Sequence, residues 1–244
     1  MRHSAKTHTG LVRGNNEDAF ACEADLGLFV IADGIGGLAR GEVASRMAAD
    51  KLLAGIIARC TPAFGPVTTD PADILAQSIN AAQAEVYGEN ADTPDRAPMG
   101  TTAIAVLFVE GTAHYTYAGD SRFYLISRLG QIDQVTKDQT VAQRMIDRGE
   151  DPVRATETHG HVLTTFIGTH GLFQPAGGSR EIAPGDTALL CTDGLTDMVS
   201  DTEIADIVAR HTDDPDAIAD ALIARANEHG GRDNITVIVI QPSS

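Results

Sequence analysis

Residues 26–32 (LGLFVIA) form an apolar run of strand length that stops at Asp33-Gly34, and the preceding DAFACEA can supply a partner strand. From Gly41 the period lengthens. Val43, Met47, Leu52, Leu53, Ile56 and Ile57 recur at helical spacing, and Ile74, Leu75, Ile79, Ala82 and Val86 do so again after Pro71. The pattern predicts two amphipathic helices joined by the Pro/Gly/Thr-rich loop CTPAFGPVTTD. Strand character returns in TTAIAVLFV, TAHYTYA, RFYLIS and QIDQV, with Glu110-Gly111 and Leu129-Gly130 placed to turn antiparallel neighbours, so a meander is expected. Residues 140–180 are of mixed character, and the stretch from Gly149 to Gly178 is too long for an ordinary connection, as lids and binding loops often are. Then come the strand TALLCT, helical patterns at 202–210 and 215–228, and a last strand ITVIVI. Strands and helices fall in blocks, not in strict alternation, which predicts an α+β fold of antiparallel sheets covered by helices.

Composition narrows the field. A chain of 244 residues can bury one substantial core and requires no second domain. The formal net charge of -16, from 34 acidic against 18 basic residues, would repel a polyanion, and no basic stripe gathers the cations, so nucleic acid is not an expected partner. Cys22, Cys60 and Cys191 are scattered and odd in number, which fits a reducing cytosol better than a secreted disulfide framework. The polar N-terminus has no signal-peptide core and no run is long enough to span a membrane, so the expectation is a cytoplasmic protein with no membrane partner.

The chemistry lies at the strand ends. FVIA runs into Asp33-Gly34, YTYAG into Asp120, LLCT into Asp193-Gly194, and Asp233-Asn234 directly precedes ITVIVI. Asp-Gly is also the commonest hairpin dipeptide, so any single instance reads more readily as a turn than as a ligand. Four carboxylates on rigid platforms suit a multidentate site for hard cations such as Mg2+ or Mn2+, which take carboxylate oxygens, carbonyls and water. Softer metals are poorly served, because there is no H-E-x-x-H and no paired cysteines.

The segments GLVRGNNEDAF, VIADGIGGLARGEVAS, GTT, AGDSRFYLI, GDTALLCTDGLTD and GRDNITVIVI, in this order over nearly the whole chain, resemble the motifs of the protein phosphatase 2C family, and the DGIGG element resembles its bacterial members. The resemblance implies a four-layer α-β-β-α sandwich of two antiparallel sheets flanked by helices. It implies one phosphatase catalytic domain, residues 1–244, with a flap around 140–178 and no appended domain. The implied activity is hydrolysis of phosphoserine and phosphothreonine by a metal-activated water, opposing a bacterial Ser/Thr kinase. By the same resemblance Asp33 bridges two Mn2+ or Mg2+ ions, the Gly34 carbonyl is a further ligand, and Asp193 and Asp233 complete the first ion's protein ligands. Glu17 and Asp18 match acidic positions near the second ion, bound directly or through water. Arg13 matches the arginine that grips the substrate phosphate, and Asp120 with Asp193 resembles the site of a third, weaker ion. The expected partners are phosphorylated proteins, met by a monomer.

Three departures qualify the match. Ile35 stands where animal members carry a histidine thought to protonate the leaving oxygen, and Ile cannot donate a proton. Gln139 replaces a histidine common in bacterial relatives, and the flap reads THGHVLTTFIGTH, without the usual His-Pro and Arg-containing form. His159, His161 and His170 on that polar loop are expected to be solvated. The alternative function is a pseudophosphatase, the same fold kept as a regulatory binding module, which the presence of Asp33, Gly34, Asp193 and Asp233 disfavours. A two-metal nuclease or nucleotidase is disfavoured by the net charge of -16.

Overall fold

In the computed structural model of the chain, residues 1–35, 40–60, 70–92 and 98–242 are described. Residues 36–39, which include the last two glycines of the DGIGG motif, and most of the predicted loop between the first two helices lie outside them. The chain opens with β1 (Arg2–His8), β2 (Asp18–Glu23) and β3 (Leu28–Asp33), followed by the long helices α1 (Gly41–Cys60) and α2 (Pro71–Asp92). Next come β4 (Ala103–Val109), β5 (Thr112–Ala118), β6 (Arg122–Ile126) and β7 (Ile132–Gln134), and the short helices α3 (Val141–Asp147) and α4 (Pro152–His159). The chain then forms β8 (Ala176–Glu181), β9 (Thr187–Cys191), the single turn α5 (Asp193–Thr196), α6 (Asp201–Arg210), α7 (Pro215–Glu228) and β10 (Ile235–Gln241).

One antiparallel sheet has the order β1-β10-β9-β6-β7 and the other β2-β3-β4-β5-β8. Their facing surfaces meet through Phe29, Ile31, Ile104, Val106, Phe123, Leu190 and Ile238, all fully buried. On the outer face of the second sheet α1 and α2 cover Leu28, Val30, Ala103 and Ala105. On the outer face of the first, α5, α6 and α7 cover Tyr124, Leu189, Val237 and Val239. The order of layers is therefore helices, sheet, sheet, helices, and the residues that alternate along each strand divide between an inner and an outer core. Among the described residues no helix is long and apolar enough to cross a membrane.

Two expectations change. The four central strands are not one meander: β4-β5 belong to one sheet and β6-β7 to the other, and the chain crosses between sheets at Gly119-Asp120-Ser121. The buried face of α1 is formed by Gly41, Ala44, Ser45, Ala48, Ala49, Leu52 and Ile56, not by Val43, Met47, Leu53 and Ile57. Small residues let the helix axis approach β2 and β3 closely, and the larger side chains settle on its flanks. The helix starts are conventional. Thr140 and Asp151 accept from the Gln143 and Arg154 N–H groups at the heads of α3 and α4, and Ser200 with Glu203 forms a capping box on α6.

Candidate metal centre and active site

Asp33 closes β3, and its register partner on β2 is Asp18. The Asp33 carbonyl accepts from Thr101 Oγ1 at 2.7 Å and from the Thr102 N–H at 2.8 Å, while the Asp33 N–H donates to Thr102 Oγ1 at 3.1 Å. The Thr102 hydroxyl also contacts Ser121 Oγ at 2.7 Å, which ties the start of β4 to the start of β6 in the other sheet. Gly34 follows where the chain leaves the sheet: its N–H donates to the Glu17 carbonyl at 3.1 Å, and a Cβ there would lie 2.4 Å from the Gly41 carbonyl oxygen. Only glycine fits that approach.

Asp193 begins α5 directly after β9, and Asp233 lies immediately before β10, the antiparallel neighbour of β9. The Asp193-Gly194 pair is thus a strand-to-helix turn and not a hairpin, and a Cβ on Gly194 would lie 2.0 Å from the Asn234 carbonyl oxygen. Asn234 is a latch. Its Nδ2 donates to the Thr9 and Asn15 carbonyls at 2.9 and 2.8 Å, and its Oδ1 accepts from the Glu17 N–H at 2.7 Å. These bonds fasten the N-terminal loop that carries Arg13 and Glu17. Arg13 Nη2 lies 2.6 Å from Asp233 Oδ2.

Asp18 is buried, and its Oδ2 accepts from Thr192 Oγ1 at 3.0 Å and Thr236 Oγ1 at 2.6 Å, hydroxyls of the opposite sheet. Its other oxygen, Oδ1, is buried with no hydrogen-bond partner among the described residues. Burial pushes the Asp18 carboxyl up to about 7, against the two hydroxyl bonds, with Asp193 and Asp233 adding to the rise. Burial also holds Asp33 well above the usual carboxylate range, with Asp18, Asp193, Asp120 and Asp233 reinforcing it. Asp120 is pushed up to about 8 by burial and then by Asp193 and Asp138. Glu17 is raised by burial and by Glu42. Carboxylates that penalise one another this strongly are an unfavourable arrangement unless a cation is shared among them.

Arg13, Glu17, Asp33, Asp120, Asp193 and Asp233 wall one cavity of about 150 Å³, with Gly34, Ile35, Thr102, His161 and Leu163 completing it. Asp18 stands behind it. The sequence-predicted set therefore converges in space. Hard oxygen donors of net negative charge at rigid strand ends, one of them a buried oxygen lacking a partner, fit divalent cations such as Mn2+ or Mg2+. Ile35 sits in the cavity wall and offers no proton there.

His161 is exposed, as expected, with its side chain 71% accessible, and it also faces the acids: its Nδ1 lies 3.8 Å from Asp193 Oδ2 and 3.7 Å from Asp197 Oδ2, and donor atoms of the three residues fall within 4.8 Å of one another. The Asp193 contact, with Asp197 adding to it, raises the imidazole to about 9. Asp197 itself is raised to about 6 by burial and by Asp193. His159 ends α4, and His170 packs its ring on Tyr87 at 5.0 Å. Gln139 anchors the segment that follows β7: its Oε1 accepts from the Gly119 N–H at 3.0 Å and its carbonyl accepts from the Thr164 N–H at 2.7 Å. Sequence reasoning missed Asn234, Thr102, Thr192, Thr236, Asp197 and the orientation of His161. Of these only Asp197 carried a signal, one helical turn beyond Asp193 in TDGLTD.

Fold and cavity together define a class: a centre of aspartates, suited to hard divalent cations, at the common end of two packed antiparallel sheets. The chain belongs to the protein phosphatase 2C family, whose sequence model matches residues 11–222. Over 247 aligned residues it is 36% identical to the serine/threonine protein phosphatase PstP of Mycobacterium tuberculosis, covering 98% of this chain and 44% of that protein. The chain thus spans less than half the length of this relative. The serine/threonine phosphatase stp of Listeria monocytogenes is 30% identical, with 99% of this chain and 96% of that protein covered. Among solved structures, the catalytic domain of PstP in complex with two manganese ions superposes with a TM-score of 0.84 at 34% identity, over 100% of this chain and 98% of that one.

Proposed function

We propose that this chain is a metal-dependent phosphoprotein phosphatase that hydrolyses phosphoserine and phosphothreonine. The observation that supports it most directly is the convergence of Asp33, Asp120, Asp193 and Asp233 on one cavity with Arg13 at its rim. In this reading residues 1–244 act as one catalytic unit with the segment around 140–178 as flap. Asp33, Asp193 and Asp233, with the Gly34 carbonyl, would hold two Mn2+ or Mg2+ ions. Glu17 and Asp18 stand behind them, and Asp120 with Asp193 serves a third ion. When bound, the ions acidify a shared water and neutralise charge on the phosphoryl group.

The protein's own side chains do the remaining work. Arg13 presents a permanently charged planar fork that matches two phosphate oxygens. It reaches the substrate by giving up Asp233, whose oxygen is then free to face a cation. Thr102 and the Asn234 latch hold Asp33 and the Arg13 loop in position, so little ordering remains to be done when substrate arrives. Ile35 excludes water from its part of the wall. The intact carboxylate set favours catalysis over a pseudophosphatase. The expected setting is cytoplasmic, as a monomer acting opposite a Ser/Thr kinase on phosphorylated proteins.

The test is Asp193→Asn, which removes charge from the site and keeps the side-chain shape. Hydrolysis of a phosphothreonine peptide should disappear at saturating Mn2+ while the circular dichroism spectrum stays native. Wild-type turnover should stop on chelation and return with Mn2+ or Mg2+, and a bis-ester should be a poor substrate. Normal turnover in the variant would overturn the assignment.

A further inference from the structure

A second concavity, of about 470 Å³, adjoins the catalytic cavity and shares Arg13, His161 and Asp233 with it. Its remaining wall is Gly194, Asp197, Met198 and Arg232. Arg13 is paired with Asp233 at 2.6 Å, and His161 Nδ1 lies 3.7 Å from Asp197 Oδ2. Arg232 has no hydrogen bond or ion pair among the described residues and is exposed. In a chain of net charge -16, an uncompensated guanidinium beside the catalytic cavity is set against the general field of the molecule.

Arg232 also stands on a fixed base. Upstream, the Gly230 and Gly231 N–H groups donate to the Asn227 and Ala226 carbonyls at 2.9 and 3.0 Å, and the Gly231 carbonyl accepts from the Leu11 N–H at 2.7 Å. Downstream, Asn234 is latched by its bonds to Thr9, Asn15 and Glu17. The guanidinium is therefore presented from a clamped turn, and binding through it requires no backbone ordering there.

We infer that Arg232 and the concavity it lines form a subsite for a second anionic group on the substrate, a phosphate or carboxylate within a few residues of the phosphoserine or phosphothreonine being hydrolysed. This rests on the phosphatase reading above and deepens it. Cations facing Asp233 would add positive charge beside the groove, and once the substrate phosphate is held at Arg13 a second anionic group on the same peptide meets Arg232 at high effective concentration. Arg232 sets selectivity and is not a catalytic residue.

The test uses phosphothreonine peptides identical except at one flanking position, scanned over three residues on either side and occupied by Gln, Glu, a second phosphothreonine or Lys. Initial rates are measured with the Mn2+-loaded wild-type protein, Arg232→Gln and Arg232→Glu, and selectivity is taken as the ratio of kcat/KM values within each protein. The wild type should prefer at least one anionic peptide over its Gln counterpart by about threefold to tenfold at low salt, and 0.5 M salt should erase most of that. Arg232→Gln should abolish the preference and Arg232→Glu should shift it to Lys. Comparing the Glu and phosphothreonine arms identifies which anion the subsite takes. An anionic preference absent from the wild type, or intact in Arg232→Gln, overturns the inference. Anisotropy of the same labelled peptides keeps the two readings apart: selective binding without turnover upholds the subsite and refutes catalysis, and turnover without selectivity does the reverse.

Discussion

Replacing Asn234 by Ala tests whether the N-terminal loop is held for function. Asn234 is 5% exposed and its side chain makes three hydrogen bonds, two donated to the Thr9 and Asn15 carbonyls and one accepted from the Glu17 N–H. A net contribution of about 1 kcal/mol per bond gives a loss of roughly 3 kcal/mol, less where water reaches the freed loop groups. That is a large part of the stability of an ordinary domain. Urea unfolding of the chelated protein should show a lower midpoint at unchanged slope, since the same surface is exposed on unfolding. The loop between Thr9 and Glu17 also carries Arg13, so KM for a phosphopeptide should rise together with the loss of stability. Asn234→Asp is the sharper control, because it keeps an acceptor for the Glu17 N–H but offers the two carbonyls no donor. It should fall on the side of Ala. A midpoint within about 0.5 kcal/mol of wild type together with an unaltered KM would refute the latch, since surface substitutions commonly cost no more than that.

Arg13→Ala should raise KM through the loss of a charged hydrogen bond, roughly 1.5 to 3 kcal/mol, while calorimetry shows cations binding no more weakly, because Asp233 is freed from its partner. Weakened metal binding with normal KM would make Arg13 structural. Asp120→Ala should slow turnover partially and leave two tightly bound ions by calorimetry; losing both would mean Asp120 holds the pair itself. The chelated protein should lose stability as pH rises from 5.5 to 8.5. Asp18 and Asp120 are raised from 3.8 to about 7 and about 8, so the stability linked to their protons is complete below about pH 4 and lost as pH passes the folded values. His161, raised to about 9, acts in the same direction. Glu203, lowered to about 2 by Arg225, changes stability only at more acid pH. A thermal midpoint equal or higher at pH 8.5 would contradict the crowding of carboxylates, and Mn2+ should restore stability most at that pH.

What could be read in the sequence followed how strongly each element declares itself. β3, β9 and β10 are buried on both faces and appear as unbroken apolar runs, and α2, α6 and α7 show helical spacing. β1 was invisible because it is an edge strand: of RHSAKTH only Ser4 is buried, and its polar side chains face α7, where Ser4 and Lys6 bond Asp216 and Asp220. β8 (AGGSRE) is the exposed opposite case, an edge with almost nothing to bury. α3 and α4 span two turns each and bury one residue apiece, too few for a period to emerge, although Thr140 and Asp151-Pro152 were helix-start signals in plain view. The path of β6 into the other sheet turns on Gly119-Asp120-Ser121, and no periodicity encodes which sheet a strand joins. His161 escaped for a related reason. A loop histidine is oriented by what its loop is pinned to, here Gln139 and the Thr140–Leu163 bridge, and these contacts are distant in sequence.

That strand-end aspartates meet at all is a consequence of antiparallel pairing. In such a sheet the end of one strand lies beside the start of its neighbour, so a residue closing β3 adjoins the one opening β2, which is Asp33 beside Asp18. The same rule brings Asp193, after β9, next to Asp233, before β10. It sets Asp120, after β5, near Thr101 and Thr102, which open β4 and bind the Asp33 main chain. The hydroxyls of Thr102 and Ser121, and of Thr192 and Thr236 with Asp18, then join the two sheets at this one end. A one-residue slip of β2 against β3 would turn Phe20 and Ala19 to opposite faces and carry Asp18 away from Asp33, so the core pattern and the carboxylate pairing enforce the same register. The apolar residues of the strands are thus what aim the acids, and repulsion among those acids, offset by bound cations or by proton uptake, is the cost the core must carry when both are lacking.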